Sequence, residues 1–152
     1  MPAATSALTD GYSTTYSFAA DTTIELEEIE VTPPSIKGGG PIPLSTMLNS
    51  AVRTQGPKSL YSVGQIAVTV AYDESKLADI IALVQVNNLL TITFPSGNKW
   101  NLWAWLEEFN PTGNKEGERP TANLVIEVSN RNASNVETPP AYVAGTTTTT
   151  TT

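Results

Sequence analysis

At 152 residues and 16.2 kDa the chain has the size of one domain. Eight Lys and Arg against fifteen Asp and Glu give a net charge of −7 and a pI of about 4.4. That is the wrong sign for a free-standing nucleic-acid binder, which needs clustered cations against phosphate. Neither histidine nor cysteine occurs, which excludes thiol nucleophiles, disulfides, thiolate or imidazole metal sites and every triad built on histidine. An enzyme would have to work with carboxylates, Lys, Tyr, Ser or Thr alone. The reading is of a non-enzymatic chain with no metal and no cofactor. No apolar run is long enough to span a bilayer, and Met1–Phe18 lacks the basic and apolar regions of a signal peptide.

In chain order, residues 1–21 are rich in Ala, Ser and Thr and read as an N-terminal arm rather than a folded element, with Tyr12, Tyr16 and Phe18 as its anchors. Residues 22–137 read as the single globular domain. Thr22–Val31 alternates with a slip, Ile24 and Leu26 on one face and Ile29 and Val31 on the other, which predicts a bulge between Glu27 and Glu28 or a strand that passes from one environment to another. Thr32–Pro43, with four prolines and Gly38–Gly39–Gly40, predicts a long loop, of a length that is usually functional or mobile. Leu44–Thr54 leans towards extended structure.

Ser62–Tyr72 is a strand pattern with Ile66, Val68, Val70 and Tyr72 on one face. The period then changes, and Leu77, Ile80, Ile81 and Val84 form one helical stripe. Asp73 is a favoured N-cap type and Glu74 suits the first turn, so the helix is expected over about 73–86. Leu90, Ile92 and Phe94 lead into the turn Pro95–Ser96–Gly97–Asn98. The return strand Lys99–Glu107 sets Trp100, Leu102, Ala104 and Leu106 against Asn101, Trp103, Trp105 and Glu107. Asn110–Pro120 is a polar loop. Thr121–Ser129 is the last strand pattern, with Ala122, Leu124, Ile126 and Val128 inward. Residues 138–152, ending in seven threonines, read as a low-complexity tail. Threonine's strand propensity leaves an added strand, a free end and a decorated end all open for it. The fold class is mainly β, a β-sandwich or barrel with one flanking helix.

No chemistry-bearing constellation emerges. The acidic run Asp21, Glu25, Glu27, Glu28 and Glu30 lies along a strand pattern, whereas glycosidases set two carboxylates across a cleft and calcium loops use a tight turn; a solvated strand edge takes precedence. Trp103 and Trp105 share a face with polar residues and suit a subunit interface or a core, with sugar stacking as the rival. Gly38–Gly40 is followed by no Lys-Ser/Thr and opens no helix, so it is not a phosphate loop. Asn132–Ala133–Ser134 matches a glycosylation sequon by composition alone. Lys115, Glu116, Glu118 and Arg119 form a mixed-charge loop, suited to a neighbouring subunit or simply solvated.

From Val31 to Pro140, about 110 of the 152 residues, the chain resembles the tail tube (major tail) proteins of long-tailed bacteriophages. The resemblance rests on pieces in order: Thr32–Pro33–Pro34 leading to Gly38–Gly39–Gly40–Pro41–Ile42; Arg53–Thr54–Gln55 and Pro57–Lys58–Ser59–Leu60; Val70–Ala71–Tyr72–Asp73; Thr93–Phe94–Pro95–Ser96–Gly97 and the Trp-rich return strand; Gly117–Glu118–Arg119–Pro120–Thr121 before Leu124 and Ile126. The resemblance implies a sandwich with a flanking helix, hexameric rings stacked into a hollow tube, DNA passing through without specific binding, and other tail proteins as partners. It implies a location in the virion tail, assembled in the host bacterial cytoplasm, and it carries no catalytic residue.

The resemblance further implies roles. Thr32–Pro43 with Gly38, Gly39 and Gly40, and Asn110–Pro120 with Lys115, Glu116, Glu118 and Arg119, become inter-ring contacts. Residues 1–21 become a lock on neighbours, and Trp103 or Trp105 a subunit contact. Glu25, Glu27, Glu28 and Glu30 become lumen-facing candidates, because an acidic lining repels DNA within a screening length of about 8–10 Å, whereas a basic one would hold it by counter-ion release. A ring could also pair strands across subunits and protect edges. The alternatives are another tail ring component, such as a tail terminator or distal tail protein, a carbohydrate-binding sandwich using Trp103 and Trp105, and a carboxylate-only hydrolase with two acids about 5–9.5 Å apart.

Overall fold

The computed structural model describes residues 14–18, 27–72 and 74–145, with the backbone alone at 27–29. Among the described residues eleven strands and one α-helix follow in order: β1 (Thr15–Phe18), β2 (Glu27–Thr32), β3 (Ile36–Lys37), β4 (Pro41–Pro43), β5 (Gln55–Pro57), β6 (Ser62–Val63), β7 (Ile66–Ala71), α1 (Leu77–Leu83), β8 (Asn88–Thr93), β9 (Lys99–Pro111), β10 (Thr121–Val128) and β11 (Ala141–Val143). Seven of the strands form one antiparallel sheet in the order β1-β8-β9-β10-β7-β2, with β11 also paired to β9. The sheet curls into a half-barrel with a single short helix, which is the barrel form of the expected sandwich or barrel.

Alternation explains the curl. Leu90 and Ile92 of β8, Leu102, Ala104 and Leu106 of β9, Ala122, Leu124 and Ile126 of β10, and Ile66, Val68 and Val70 of β7 are all buried in one cluster. Their neighbours in sequence point to the other, more exposed face. Each buried Leu, Ile or Val side chain contributes about 1.5–3 kcal/mol of transfer free energy, so a slip of one residue would lose several such terms together and the register is tightly specified. The edge strands β1 and β2 approach one another without pairing.

Four elements differ from expectation. Thr15–Phe18, read as part of the N-terminal arm, is β1: Phe18 is buried, and Tyr16 packs on the core with its ring centroid 6.4 Å from that of Phe18. The bulge in β2 lies between Glu28 and Glu30 rather than between Glu27 and Glu28, so Ile29 is the extra residue and Val31 regains the core side opposite Val68. The return strand runs on to Pro111, with a register shift opposite Val125/Ile126 that inserts Glu107 and lets Phe109 reach the core. Ala141–Val143, read as tail, is β11: it continues along β9 beyond β10, pairing Ala141 with Asn101 and Val143 with Lys99. Beyond it Gly145 comes so close to the turn that a Cβ there would lie 2.7 Å from the Gly97 carbonyl carbon, and its N–H donates to Asn98 Oδ1 at 2.8 Å.

The helix is also shorter and turned. A 3-10 turn, Glu74–Lys76, precedes the seven residues of α1, and Lys76 stands at the N-cap with no side-chain cap bond; the proposed cap, Asp73, lies outside the described residues. Ile80 and Leu83 are buried, and Val84 packs on the core and bridges Leu106. Leu77 and Ile81, expected in the buried stripe, are 40 % and 62 % exposed. A helix of two turns rests on β9 along one narrow line of residues three apart, so the flanking side chains stay out.

Candidate assembly surfaces

The segment from Pro33 to Gln65, between β2 and β7, is a ribbon rather than a loop. Ile36 and Lys37 of β3 pair with Val63 and Ser62 of β6, and Pro41–Pro43 of β4 pair with Pro57–Gln55 of β5. Leu44 N–H then donates to the Thr54 carbonyl at 2.9 Å. The expected Thr32–Pro43 loop is therefore one side of a projecting arm, in which each short strand contacts chiefly its own pairing partner. Prolines end ladders but are tolerated on such two-stranded ribbons, where one side of each strand faces solvent. Gly39 and Gly40 take φ of +73° and +82°, values that need glycine, and thereby carry the chain from β3 into β4. An open groove runs along this part of the ribbon, between Gly38, Gly40 and Pro41 on one side and Gln55–Lys58 on the other.

The arm ends in an organised turn. Asn49 Oδ1 accepts from Thr46 N–H at 2.8 Å, Asn49 N–H donates to the Thr46 carbonyl at 3.1 Å, and Asn49 Nδ2 donates to the Val52 carbonyl at 3.1 Å. This turn, which Thr46 Oγ1 also braces by accepting from Leu48 N–H at 3.3 Å, presents Met47 fully to solvent and Leu48 at 93 % exposure, with Val52 exposed beside them. Charge is concentrated as well. Pro33–Gln65 carries Lys37, Arg53 and Lys58 and no acid, leaving five cations against all fifteen acids in the rest of the chain. An acidic body thus bears a basic arm with an apolar tip.

Register fixes where the features lie. β2 runs antiparallel to β9, so the arm leaves at the end of the strands that holds the 94–98 turn, Thr15 and Gly145. The polar loop lies at the opposite end, where Thr112 N–H donates to the Thr121 carbonyl at 2.9 Å and Tyr72 N–H to the Pro120 carbonyl at 3.2 Å. Lys115, Glu116, Glu118 and Arg119 are exposed in that loop. The same end receives the chain from β7 into α1, with exposed Glu74 near the helix start and half-buried Asp79 within it. The two expected inter-ring loops therefore occupy opposite ends of the strands.

Trp103 and Trp105 stand on the outer face, away from the core, and both are half-buried. Leu89 lies opposite Trp103 and Glu127 opposite Trp105; Trp105 Nε1 donates to Glu107 Oε2 at 2.7 Å, and Gln65 Nε2 donates to Glu127 Oε1. A polar ladder surrounds them, with Thr91 Oγ1 donating to Asn101 Oδ1 at 2.9 Å and Thr69 Oγ1 to Asn123 Oδ1 at 3.1 Å. Two partly covered indoles, that of Trp105 with its N–H engaged, do not make the open stacking platform that the sugar-binding reading requires. Glu30 is exposed and pairs with Thr69 on this outer face. Glu27 and Glu28 lie at register positions opposite Ala71 and Val70, and Asp21 and Glu25 lie outside the described residues.

The sequence reading passes over the arm's tip and takes Leu77 and Ile81 for core positions. Their signal lies in a stretch free of acids between two prolines and a strand, and in a stripe too wide for a two-turn helix. Among the described residues no group of three or more Asp or Glu is placed to hold a metal ion, and no helix is long and apolar enough to cross a membrane.

No family model and no curated protein matches the chain. Among solved structures it is similar to a chain of the cryo-EM structure of the anti-feeding prophage (AFP) baseplate, 6-fold symmetrised, with a TM-score of 0.58 and 9 % identity over 93 % of this chain and 97 % of that one. At that identity the likeness is one of fold, and it extends over nearly the whole of both chains.

Proposed function

We propose that the chain is a structural subunit of a phage-tail-like assembly, and within that class a tail tube protein. In this reading hexameric rings stack into a hollow tube that conducts DNA without binding it specifically. The observation that carries the reading is the fold match, nearly end to end, to a baseplate chain of six-fold symmetry. The basic arm on an acidic body, with the arm and the 112–120 loop at opposite ends of the strands, supports stacking: complementary surfaces at two ends generate rings or open filaments rather than closed pairs. The proposed lumen residues are Glu25, Glu27, Glu28 and Glu30, and the proposed subunit contacts include Trp103 and Trp105. The proposed location is the virion tail, assembled in the host cytoplasm beside other tail proteins, and the role is non-enzymatic.

The baseplate neighbour favours a second reading equally, a ring component at the tube's end such as a distal tail or terminator protein. Negative-stain electron microscopy of the purified protein over a concentration series separates the two. Hollow tubes are the outcome expected of a tube subunit. Single rings that never stack would favour the end component, and a monomer at every concentration, with or without a tail initiator, would remove both.

A further inference from the structure

We propose that copies of this chain exchange their last described strand: β11 and Gly145 of one copy leave their own β9 and seat on Lys99–Asn101 of β9 in a neighbour, with residues 130–140 as the hinge. The proposal rests on the reading above only in taking the partner to be another copy of this chain. The hinge is far longer than its task within one chain requires. Ser129 N–H donates to the Trp103 carbonyl at 2.8 Å, and Ala141 stands opposite Asn101. The end of β10 and the start of β11 therefore lie two residues apart along β9, about 7 Å. Eleven residues, Asn130 to Pro140, join them. Extended, they reach about 36 Å, which carries β11 onto a chain packed alongside.

The spare length is folded into a small hairpin. Arg131 bridges Glu137, and Asn132 Oδ1 accepts from Ser134 N–H at 2.9 Å and Val136 N–H at 3.0 Å. The fold-back carries strain. Asn130 and Asn135 hold φ of +54° and +59°, in the left-handed region that a Cβ makes costly. Asn130 Oδ1 is buried without a hydrogen-bond partner, so its desolvation is uncompensated. Opening the hinge relieves all three. β11 itself is held lightly: its three residues are exposed, and its hold rests on three ladder pairs and one bond from Gly145. Pro139 and Pro140 have no N–H with which to extend that ladder towards the hinge.

The seat identifies what fills it. Gly145 N–H donates to Asn98 Oδ1 at 2.8 Å, and a Cβ at 145 would lie 2.7 Å from the Gly97 carbonyl carbon. An occupant must bring a short strand with a glycine just beyond it. A second copy brings that segment unchanged, and each contact made within a chain is remade between chains, which is why exchange of an identical element is a low-cost route to assembly. Each copy gives one strand and receives one, so an exchange passed in one direction closes as a ring.

The chain has no cysteine, so introduced thiols report without background. Lys99 and Val143 face one another across the ladder and both are exposed. Full-length Lys99→Cys and Val143→Cys, one of them isotopically heavy and each with an unchanged thermal melt, are mixed, assembled and treated with a short bismaleimide. Mass spectrometry is expected to show covalent pairs of the two variants. Lys115→Cys in place of Lys99→Cys, at the opposite end of the strands, is expected to give none. The double variant Lys99→Cys/Val143→Cys, bridged within each chain while dilute, is expected to lose assembly. Gly145→Val is expected to lose it too, with the β11 amides exchanging at least about tenfold faster.

Mixed pairs no more abundant than with Lys115→Cys overturn the proposal, as does a wild-type chain that stays monomeric at every concentration. Wild-type-like assembly of Gly145→Val overturns it as well. Tubes built from the internally bridged chain would refute the exchange and leave the tube reading standing. Exchanged pairs or rings from wild type that never stack into tubes would do the reverse.

Discussion

The body and the arm of this protein are held by different physics. In β7, β9 and β10 three alternate residues of each strand are buried in a common core, whereas from Ser35 to Gln55 every residue of the arm is exposed. The body's conformation comes from burial, and its turns follow from the strands. The arm's comes from short ladders, prolines, glycines at positive φ and the hydrogen bonds of Asn49. Those terms shape a chain but add little stability, since a net hydrogen bond contributes only about 0.5–1.5 kcal/mol. The contrast shows that an apolar residue in this chain has one of two jobs, and only its surroundings tell which.

The contrast is broken or sharpened by substitution. Ile126→Ala in β10 removes a fully buried side chain and is expected to cost about 2–5 kcal/mol of stability, read as a fall in the urea midpoint. Ile80→Ala in α1 is expected to cost about 2–5 kcal/mol, while the same change at the adjacent Ile81 stays within about 0.5 kcal/mol; equal losses would mean that the helix packs by a different face. Gly97→Ala, at φ +86° in the β8–β9 turn and against Gly145, is expected to cost about 1–3 kcal/mol by backbone strain, and the amides of β11 should exchange faster. The smallest effect belongs to the arm: Leu48→Ala is expected to leave stability within about 0.5 kcal/mol. In native-state hydrogen exchange the arm's ribbon amides should exchange well before those of β9. Arm amides protected as well as those of β9 in a monomer would remove the distinction altogether.

Much of the body is legible from period alone. The inward residues of β7, β9 and β10 follow from alternation, and the β8–β9 turn from Pro95–Asn98. Alternation was misleading where a strand changes environment. The bulge at Ile29 and the one at Glu107 are set by the neighbouring ladders, which no single strand's pattern contains. β1 and β11 were missed for a related reason, because each is short and held by a partner distant in sequence. The helical stripe overcounted its buried face, because four apolar positions at helical spacing do not reveal how broad a surface the helix meets. On the candidate site, Gly38–Gly40 marked the arm but not its strands, and Lys115–Arg119 marked an exposed loop correctly. Met47 and Leu48 are marked only by the acid-free stretch around them, since an apolar pair in a short segment reads equally well as core.

The arm's length also has little thermodynamic weight. Thirty-three residues separate the paired strands β2 and β7, yet the entropy of closing a loop grows only with the logarithm of its length, about 0.6 kcal/mol for each doubling. Lengthening or shortening the ribbon by a few pairs should therefore leave the half-barrel's folding nearly untouched while moving the tip by about 3.3 Å per residue along the strand. Reach and fold are separately adjustable in this architecture, so the distance at which the tip stands from the half-barrel becomes a property of one hairpin's length.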